Sequence, residues 1–333
     1  MTNTLQKKEA IPELAIQANE ISQAMYDLGP YARKLVAVAM SLMSPDDGVY
    51  DVEFKTEDFL KAIGLEYRKQ GGKTQSRIIA AVRECLDSHI EINKPNGDWE
   101  GYTWFTDSKL QFYKEGRAWG WDKITMSFNP KLGDVIKAFK IGYSKISLVD
   151  LGKLQSRYAI RFYELAISHA GFAGQGGNRR GEWWFEMSLD DIRERFMVDR
   201  KRYKVTKDFR VNIIDKPIEE INAAGIGLSI EPEYVRYGKR LMGAKFLCRY
   251  VKPGEPKPTQ PVTETGQEEE KLRKAFPEEF EKLKVEALAE TKKNPGLFAD
   301  LPGYIETRAE STAYGKLREL HPEFFKKGKK NER

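Results

Sequence analysis

A fixed order of predicted elements occurs twice in this 333-residue chain, and that repetition is the strongest constraint on its fold. In the first half, apolar residues recur at helical steps, then alternate as in a strand, then recur at helical steps twice more. Two β segments follow, and the Asn-Gly pair between them is a strong hairpin signal. The first copy therefore comprises a predicted helix over 19–44, a strand over 49–54, helices over 56–64 and 73–86, and a hairpin over 89–105.

The second half repeats this order with little sequence identity. Its predicted elements are a helix over 156–169, a strand over 182–187, helices over 188–196 and 206–222, and a closing hairpin over 227–252. Helix, strand, helix, helix and hairpin is the order of a winged helix-turn-helix module. We therefore expect an α+β protein with two winged helix-turn-helix domains in tandem and a helical, charged C-terminal extension.

Capping residues mark several predicted helix starts. Ser156 and Thr206 precede periodic apolar runs, and Ser188 with Asp191 has the spacing of a capping box. Pro217 lies inside the last predicted helix of the second copy. Because proline removes an N–H donor from the helix interior, we expect a kink at that point.

The length suits two domains and an appendage, at about 100–200 residues per domain. Between the two copies, residues 106–147 show less regular patterning, apart from a helical piece near 130–140. Residues 253–267 are rich in Pro, Thr and Lys and lack an apolar period, which is typical of a linker. The predicted divisions are an N-terminal domain at 1–147, a second domain at 148–252, the linker at 253–267 and a charged helical tail at 268–333.

The bulk composition excludes several classes of protein. Hydrophobic residues make up 40% and charged residues 32% of the chain, which is typical of a globular protein in water. No apolar run reaches the roughly 18 residues that a membrane span needs, and the N-terminus lacks the apolar core of a secretory signal. Cys85 and Cys248 lie far apart and are expected to be reduced, buried thiols. The expected compartment is the bacterial cytoplasm.

Positive charge is concentrated in one segment. Residues 193–216 hold nine Lys or Arg against four acids, a net charge of +5, while the whole chain carries +6. Cations gathered around the start of a predicted helix attract DNA phosphates and can reach guanine edges in the major groove. A solvated charge run without a partner is the alternative interpretation of such a segment, and the winged-helix order disfavours it.

The candidate DNA-binding residues divide by the contact expected of them. Arginine and asparagine suit base edges, while cations on loops suit phosphates. The expected phosphate contacts of the second domain are Arg200, Lys201, Arg202 and Lys204. The expected base contacts are Lys207, Arg210 and Asn212, with Lys216 on the same exposed arc of the helix. Weaker contacts are expected from Arg68, Lys69, Lys73 and Arg77 in the first domain and from Lys239 and Arg240 at the closing hairpin.

Enzyme chemistry and cofactor binding find little support. The three histidines are isolated, and neither cysteine has the CxxC partner that a zinc site requires. The glycine-rich stretch 174–181 lacks the Lys-Ser/Thr ending of a phosphate-binding loop, so a flexible insertion is the better interpretation. Of the adjacent Trp183 and Trp184, one is expected to face the core because strand neighbours point to opposite faces. We expect no catalytic residues, no metal and no cofactor.

Several segments resemble one family of DNA-binding proteins. They include Ser156–Leu165, which reads Ser-x-Tyr-Ala-Ile-Arg-x-Tyr-Glu-Leu, and Asp-Phe-Arg at 208–210 followed by Glu-Ile-Asn at 220–222. With residues 19–28, 188–195 and 238–240, they resemble the iteron-binding replication initiators of theta-replicating bacterial plasmids, the RepB/RepE-like family. The resemblance runs in order over about 15–252 and does not include the tail.

The resemblance implies a function and a set of partners. Two winged-helix domains would straddle one direct repeat (iteron), with the second domain making most base contacts and the first mediating dimerisation. Monomers would bind the repeats, and dimers would repress the protein's own promoter and so control plasmid copy number. Origin melting and contacts with the host initiator, the replicative helicase and chaperones would follow. Lys207 and Arg210 match the start of the family's recognition helix, whereas Val211 and Asn212 stand where relatives often carry further arginines.

Two other functions remain open from the sequence. A winged-helix repressor without initiator activity would share the same DNA-binding residues. A nicking enzyme is disfavoured because no paired-histidine metal motif is present. The DNA that flanks the coding region discriminates between these functions: direct repeats beside an AT-rich stretch favour an initiator, and a lone inverted repeat favours a repressor.

Overall fold

The computed structural model describes residues 10–43, 50–66, 72–93, 98–115, 118–136, 142–170, 182–250 and 273–293, with 309, 312, 313, 316, 317, 320 and 321. The chain divides into two compact units. The first is Met1–Tyr234 with Ala244–Glu255, and the second is Val235–Gly243 with Pro256–Arg333. The linker predicted at 253–267 lies outside the described residues.

The first copy contains the expected helix, strand, helix and helix. Its elements are β1 (Leu14–Ala18), α1 (Asn19–Gln23), α2 (Pro30–Leu42), β2 (Asp51–Lys55), α3 (Thr56–Ala62) and α4 (Gly72–Asp87). Just after α3, Gly64 has a φ of 72°, a left-handed conformation that glycine adopts without steric cost. This glycine ends the short helix at the position that the sequence indicates.

The prediction of one helix over 19–44 is wrong, because this region forms two helices. The backbone is extended at Ala24 and at Gly29, between α1 and α2. Pro30 begins α2 and explains the break, since proline disfavours helical geometry in the residue before it. Glu84 of α4 then completes the start of α2, because its Oε1 accepts a hydrogen bond from the Gly29 N–H at 2.6 Å.

The hairpin predicted over 89–105 does not pair with β2. It forms a separate two-stranded sheet from β3 (His89–Asn93) and β4 (Trp99–Thr103). Strand β2 instead joins a three-stranded sheet with β5 (Phe105–Glu115) and β6 (Ala118–Phe128), in the order β2-β6-β5. The winged-helix order of the first copy is therefore completed by a hairpin that lies later in the chain.

The β5–β6 hairpin also corrects the interpretation of 106–147 as irregular. Ile124, Met126 and Phe128 are buried and alternate with partly exposed polar residues, which is the period of a strand with one face on the core. The chain continues through a 3-10 turn (Pro130–Leu132), α5 (Gly133–Ile136), β7 (Tyr143–Ser147) and α6 (Leu148–Lys153). The helical piece predicted near 130–140 is thus confirmed as far as residue 136, and β7 pairs antiparallel with β1.

The second copy has the expected order. Its elements are α7 (Arg157–His169), β8 (Glu182–Ser188), α8 (Leu189–Arg195), helix 206–223, β9 (Leu228–Tyr237) and β10 (Arg240–Tyr250). The three strands form one sheet in the order β8-β10-β9. Two predicted caps are confirmed: Ser156 accepts a hydrogen bond from the Tyr158 N–H, and Ser188 with Asp191 forms a complete capping box.

Helix 206–223 has three segments: α9 (Thr206–Phe209), a π-helical turn (Arg210–Asp215) and α10 (Lys216–Ala223). The sequence predicts Thr206 as the cap of this helix, but it is the first helical residue. Val205 occupies the cap position. Pro217 explains the π-helical turn, because proline cannot donate to the helical ladder and its ring clashes with the carbonyl four residues earlier. The predicted kink therefore takes the form of a widened turn that ends two residues before the proline.

A cluster of polar side chains lies inside the apolar core of the first unit. Arg33 of α2 and Arg161 of α7 both pair with Glu164, and the Tyr26 hydroxyl donates a hydrogen bond to the same carboxylate. The Arg161 guanidinium lies 3.7 Å from the centroid of the Tyr26 ring. We call these four residues the buried cluster, since none is more than 4% exposed. It ties α2 to α7 by charge as well as by packing.

Burial changes the protonation chemistry of this region. It raises the pKa of the Tyr26 hydroxyl to about 12. Burial alone would lower the pKa of the Arg33 guanidinium, but the Glu164 carboxylate and the Tyr26 hydroxyl together more than offset it, so this pKa is raised. Lys34, one residue further along α2, donates to the Gly152 carbonyl at 3.0 Å. Burial lowers its pKa to about 8, and the more distant Glu220 only partly opposes that shift.

The second unit includes a small helical core in the C-terminal extension. Helix α11 (Pro277–Lys293) confirms the helical character predicted for the start of the tail. Phe280 of α11 packs in a buried cluster with Ala313 and Leu317. The described part of the chain contains no helix with both the length and the apolar character that crossing a bilayer demands.

Candidate nucleic-acid interface

The turn between α8 and helix 206–223 is built around Arg193. Its Nη1 donates to the carbonyl oxygens of Asp199 and Arg202, both at 3.1 Å, and its Nη2 donates to the Tyr203 carbonyl at 3.2 Å. The guanidinium also lies 4.4 Å from the centroid of the Phe209 ring. Because Phe209 belongs to the first turn of helix 206–223, Arg193 fixes the turn relative to that helix.

Residues 199–204, which we call the basic turn, present the predicted phosphate contacts together. Left-handed backbone occurs at Met197, with a φ of 48°, and at Tyr203, with a φ of 51°. Within the turn, the Lys201 N–H donates to Asp199 Oδ1 at 2.8 Å. The exposed cations of the basic turn are Arg200, Lys201, Arg202 and Lys204. Four of the predicted contacts are therefore carried by one short and internally bonded segment.

Arg210, the strongest candidate for a base contact, lies in a defined environment. Its Nε donates to Asp215 Oδ2 at 3.1 Å, and its guanidinium lies 5.2 Å from the centroid of the Tyr234 ring. The Tyr234 hydroxyl donates a hydrogen bond to the other oxygen of Asp215. We call Arg210, Asp215 and Tyr234 the surface triad, because the arginine and aspartate side chains are 31% and 23% exposed.

The remaining predicted positions of the helix differ in their availability. Lys207 is exposed in the first turn. The Asn212 amide is occupied within the helix: its Nδ2 donates to the Asp208 carbonyl at 2.8 Å, and its Oδ1 accepts from Lys216 Nζ at 3.0 Å. A base contact by Asn212 would have to replace these two bonds, whereas no described residue forms a side-chain hydrogen bond with Lys207.

The other predicted contacts lie elsewhere in the fold. In the first copy, Lys73 and Arg77 are exposed on α4, and Arg77 lies 5.8 Å from the centroid of the Tyr31 ring. Lys239 and Arg240 are exposed at the turn between β9 and β10. Arg68 and Lys69 lie outside the described residues.

Two arginines of the basic segment have structural contacts that charge counting did not reveal. Arg193 holds the basic turn, and Arg195 Nη1 donates to the Gln23 carbonyl at 2.9 Å. Burial lowers the pKa of Arg195. Ile192 and Phe196, which flank these arginines in the sequence, are fully buried. These apolar neighbours were the sequence signal that Arg193 and Arg195 lie beside the core.

The tryptophan pair is also resolved by the fold. Trp183 is buried, and its Nε1 donates to the Ala166 carbonyl at 2.8 Å. Trp184 points to the other face, where Lys245 Nζ lies 5.0 Å from the ring centroid. The expectation that one of the two faces the core is confirmed. The glycine-rich stretch 174–181 lies outside the described residues.

This arrangement matches a known family of proteins. Residues 14–167 match the domain described as "Initiator Replication protein, WH1", and residues 188–247 match "Initiator Rep protein, WH2". The two matches occur in chain order and together cover more than half of the chain. The chain belongs to the initiator Rep protein family. The resemblance drawn from the sequence, the two winged-helix domains and the role in replication initiation are thereby confirmed.

The fold of this initiator Rep protein also occurs among solved structures. One of them is described as "Crystal structure of Pi initiator protein in complex with iteron DNA". It matches with a TM-score of 0.55 and 14% identity, over 73% of this chain and 99% of that chain. At this identity the likeness establishes the fold alone. No curated protein matches this initiator Rep protein in sequence.

Proposed function

We propose that this initiator Rep protein starts plasmid replication by binding direct repeats at the origin through its second winged-helix domain. The observation that carries the proposal is the basic turn, which delivers four exposed cations beside the start of helix 206–223. Phosphate contacts of this kind fix the register of a helix on the duplex, and the helix can then read base edges. The solved initiator of similar fold is described in complex with iteron DNA, which supports repeats as the target.

The contacts follow from the geometry of the second domain. Arg200, Lys201, Arg202 and Lys204 would bind phosphates, and Lys207 and Arg210 would reach base edges from the first turns of helix 206–223. Lys216 and Asn212 lie further along the same helix and bond to each other. Lys239 and Arg240 would follow the DNA backbone as a wing.

The first domain is assigned the secondary contacts. Lys73 and Arg77 are exposed on α4, and Arg68 and Lys69 lie four and three residues before that helix begins in the sequence. This domain, placed at 1–147, would also mediate dimerisation, and the dimer would repress its own promoter. The second domain is placed at 148–252, followed by the linker at 253–267 and the tail at 268–333.

Further partners follow from the role in initiation. The monomer on its repeats would melt the adjacent AT-rich DNA and recruit the host initiator and the replicative helicase, with chaperones setting the monomer–dimer balance. The family consists of initiators rather than enzymes of a named reaction. We therefore assign the chain no catalytic activity and no cofactor, and place it in the bacterial cytoplasm on its plasmid.

Replication in trans tests the proposal and separates it from the repressor alternative. A vector that carries only the DNA flanking the gene should replicate when this protein is supplied from a second replicon. The matched control supplies a variant in which Arg200, Lys201 and Arg202 are all replaced by alanine, and it should not support replication. Repression of the native promoter without any replication of the vector would instead identify a repressor.

A further inference from the structure

The π-helical turn changes which side chains of helix 206–223 are neighbours. In a regular α-helix, side chains three and four residues apart lie together, and residues five apart do not. Arg210 and Asp215 are five apart, yet their side chains are bonded at 3.1 Å. The π-helical turn spans these two residues, and its wider i→i+5 spacing brings them onto one face. Pro217, two residues beyond the end of the turn, is the sequence feature that explains it.

The contacts of Arg210 leave one edge of its guanidinium for a ligand. Nε bonds to Asp215, and the Tyr234 ring lies against the guanidinium. Within the described residues, nothing accepts a hydrogen bond from Nη1 or Nη2 of Arg210. The Tyr234 hydroxyl holds Asp215 in turn. The arginine is therefore oriented by two side chains from different elements, one on helix 206–223 and one on β9.

We propose that Asp215 and Tyr234 are positioning residues that aim the terminal nitrogens of Arg210 at a guanine in the repeat. This inference rests on the proposed function. Guanine presents O6 and N7 as two acceptors on its major-groove edge, and an arginine fork can satisfy both at once. Holding the fork in place lowers the entropy that is lost on binding.

The pairing also favours sequence specificity over general affinity. An unpaired arginine is attracted to any phosphate, whereas the Asp215 carboxylate offsets that attraction for Arg210. The contribution of Arg210 should then depend on the base that it meets. Among the described residues, no carboxylate forms an ion pair with a cation of the basic turn, which suits its sequence-independent role.

The variant Asp215→Asn separates a positioning role from a simple charge effect, because the two predict changes of opposite sign in the affinity for the repeat. The probes are duplexes from the DNA flanking the gene and a shuffled duplex of the same length and composition. The substitution removes a negative charge from a DNA-facing surface, so affinity for the shuffled duplex should rise slightly. Affinity for the repeat should fall about tenfold, because Arg210 is no longer oriented.

Glu219→Gln is the matched control. Glu219 is an exposed acid on the same helix, and no described residue forms an ion pair with it. Its neutralisation should raise affinity for both duplexes equally. If Asp215→Asn also raises both affinities, Asp215 is merely a surface charge; if it lowers both, the substitution damages the helix. The first outcome overturns the positioning role, and after the second outcome the two variants described next decide it.

Two further variants keep the inference testable if Asp215→Asn folds poorly. Tyr234→Phe retains the ring and removes the hydroxyl that holds Asp215, so repeat affinity should fall about threefold with no change on shuffled DNA. In an Arg210→Ala background, Tyr234→Phe should have no further effect on repeat affinity, and Asp215→Asn should raise it only slightly, as it does for the shuffled duplex. Additive losses in that background would contradict the inference.

The failure of this inference can be distinguished from failure of the proposed function. If the unaltered protein binds flanking and shuffled duplexes equally, the proposed function fails. If the unaltered protein prefers the repeat and 7-deazaguanine substitution across the repeat leaves that preference unchanged, the guanine contact fails alone. The expected result is a loss of affinity with the modified repeat that is smaller in the Arg210→Ala variant.

Discussion

The buried cluster and the surface triad are built from the same side-chain types in opposite environments. In both, a tyrosine hydroxyl donates to a carboxylate that pairs with arginine, and an arginine guanidinium lies against the tyrosine ring. In the buried cluster, Glu164 is 0% exposed, while Arg210 of the triad is 31% exposed. The buried cluster and the surface triad therefore share their side-chain chemistry and differ in their exposure to water.

That difference decides what each cluster can do. Inside the core, water cannot replace a lost partner, so each charge depends on the others for its stability. At the surface, water compensates for a lost partner, and the pair contributes little to folding. The exposed guanidinium nitrogens of the triad are instead available to a ligand. The same combination of residues thus supports stability in one place and recognition in the other.

The largest effect is expected from breaking the buried cluster. Glu164→Gln leaves Arg33 and Arg161 buried without a counter-charge, so the free energy of unfolding should fall by about 3–5 kcal/mol. Asp215→Asn, the equivalent change in the surface triad, should lower it by less than about 1 kcal/mol. Urea denaturation of both variants measures the difference. Equal losses would show that burial does not distinguish the two clusters.

The recognition role of the triad is tested by removing its arginine. Arg210→Ala should weaken binding to the specific repeat by about 1–3 kcal/mol and binding to random DNA much less. The physical reason is that a bidentate base contact is lost, while few phosphate contacts are. Competition titration with both duplexes makes the measurement. The same loss on both duplexes would reassign Arg210 as a phosphate contact.

Lys34 sharpens the comparison, because it is a buried cation that no carboxylate of the described residues contacts. The pKa of Lys34 is lowered to about 8 in the folded state, from 10.5. Between these values the unfolded chain binds more protons, so stability should rise with pH, by about 1–2 kcal/mol from pH 8 to pH 10. Below pH 8 both states are protonated and this dependence vanishes.

Lys34→Met is the control for this pH dependence, since it keeps the length of the side chain and removes its charge. Denaturation at a series of pH values should show the rise in the unaltered protein and not in the variant. A rise of equal size in both would assign it to other groups. Above pH 10, Tyr26 should oppose the rise. Its hydroxyl loses its proton in the unfolded chain but keeps it in the folded state, where its pKa is raised to about 12.

The smallest effect is expected at the basic turn. Lys201→Ala should weaken binding to repeat and random DNA alike, since a phosphate contact carries no sequence information. The slope of log affinity against log salt should become shallower by about one unit. A salt titration of both duplexes makes the measurement, and an unchanged slope would remove Lys201 from the phosphate contacts.

Much of the fold follows from local sequence signals. The second copy is predicted element by element because its capping residues, turn residues and apolar periods agree. The first copy is predicted less well, since β2 pairs with β6 rather than with the nearer hairpin. Strand pairing is a tertiary property, and the adjacent β3–β4 hairpin offered a local alternative that the pattern could not exclude.

The candidate site shows a similar division. The concentration of charge locates the basic turn, and Pro217 indicates a disturbed helix. Charge alone does not separate Arg193, which bonds to three carbonyl groups, from the exposed Arg200. Nor does it reveal that Arg33 meets Glu164, because that contact joins two helices that are distant in sequence. Such roles depend on the packed structure.

The most direct test of the central claim is the affinity of the unaltered protein for the DNA beside its own gene. Titration at about 0.15 M salt should show binding to a direct repeat at least about a thousandfold tighter than to a shuffled duplex of the same composition. When Arg210 is replaced by alanine, the ratio should fall by about 5- to 150-fold, mainly through weaker repeat binding. Equal affinity of the unaltered protein for both duplexes would contradict the claim that helix 206–223 and the basic turn recognise a specific DNA sequence.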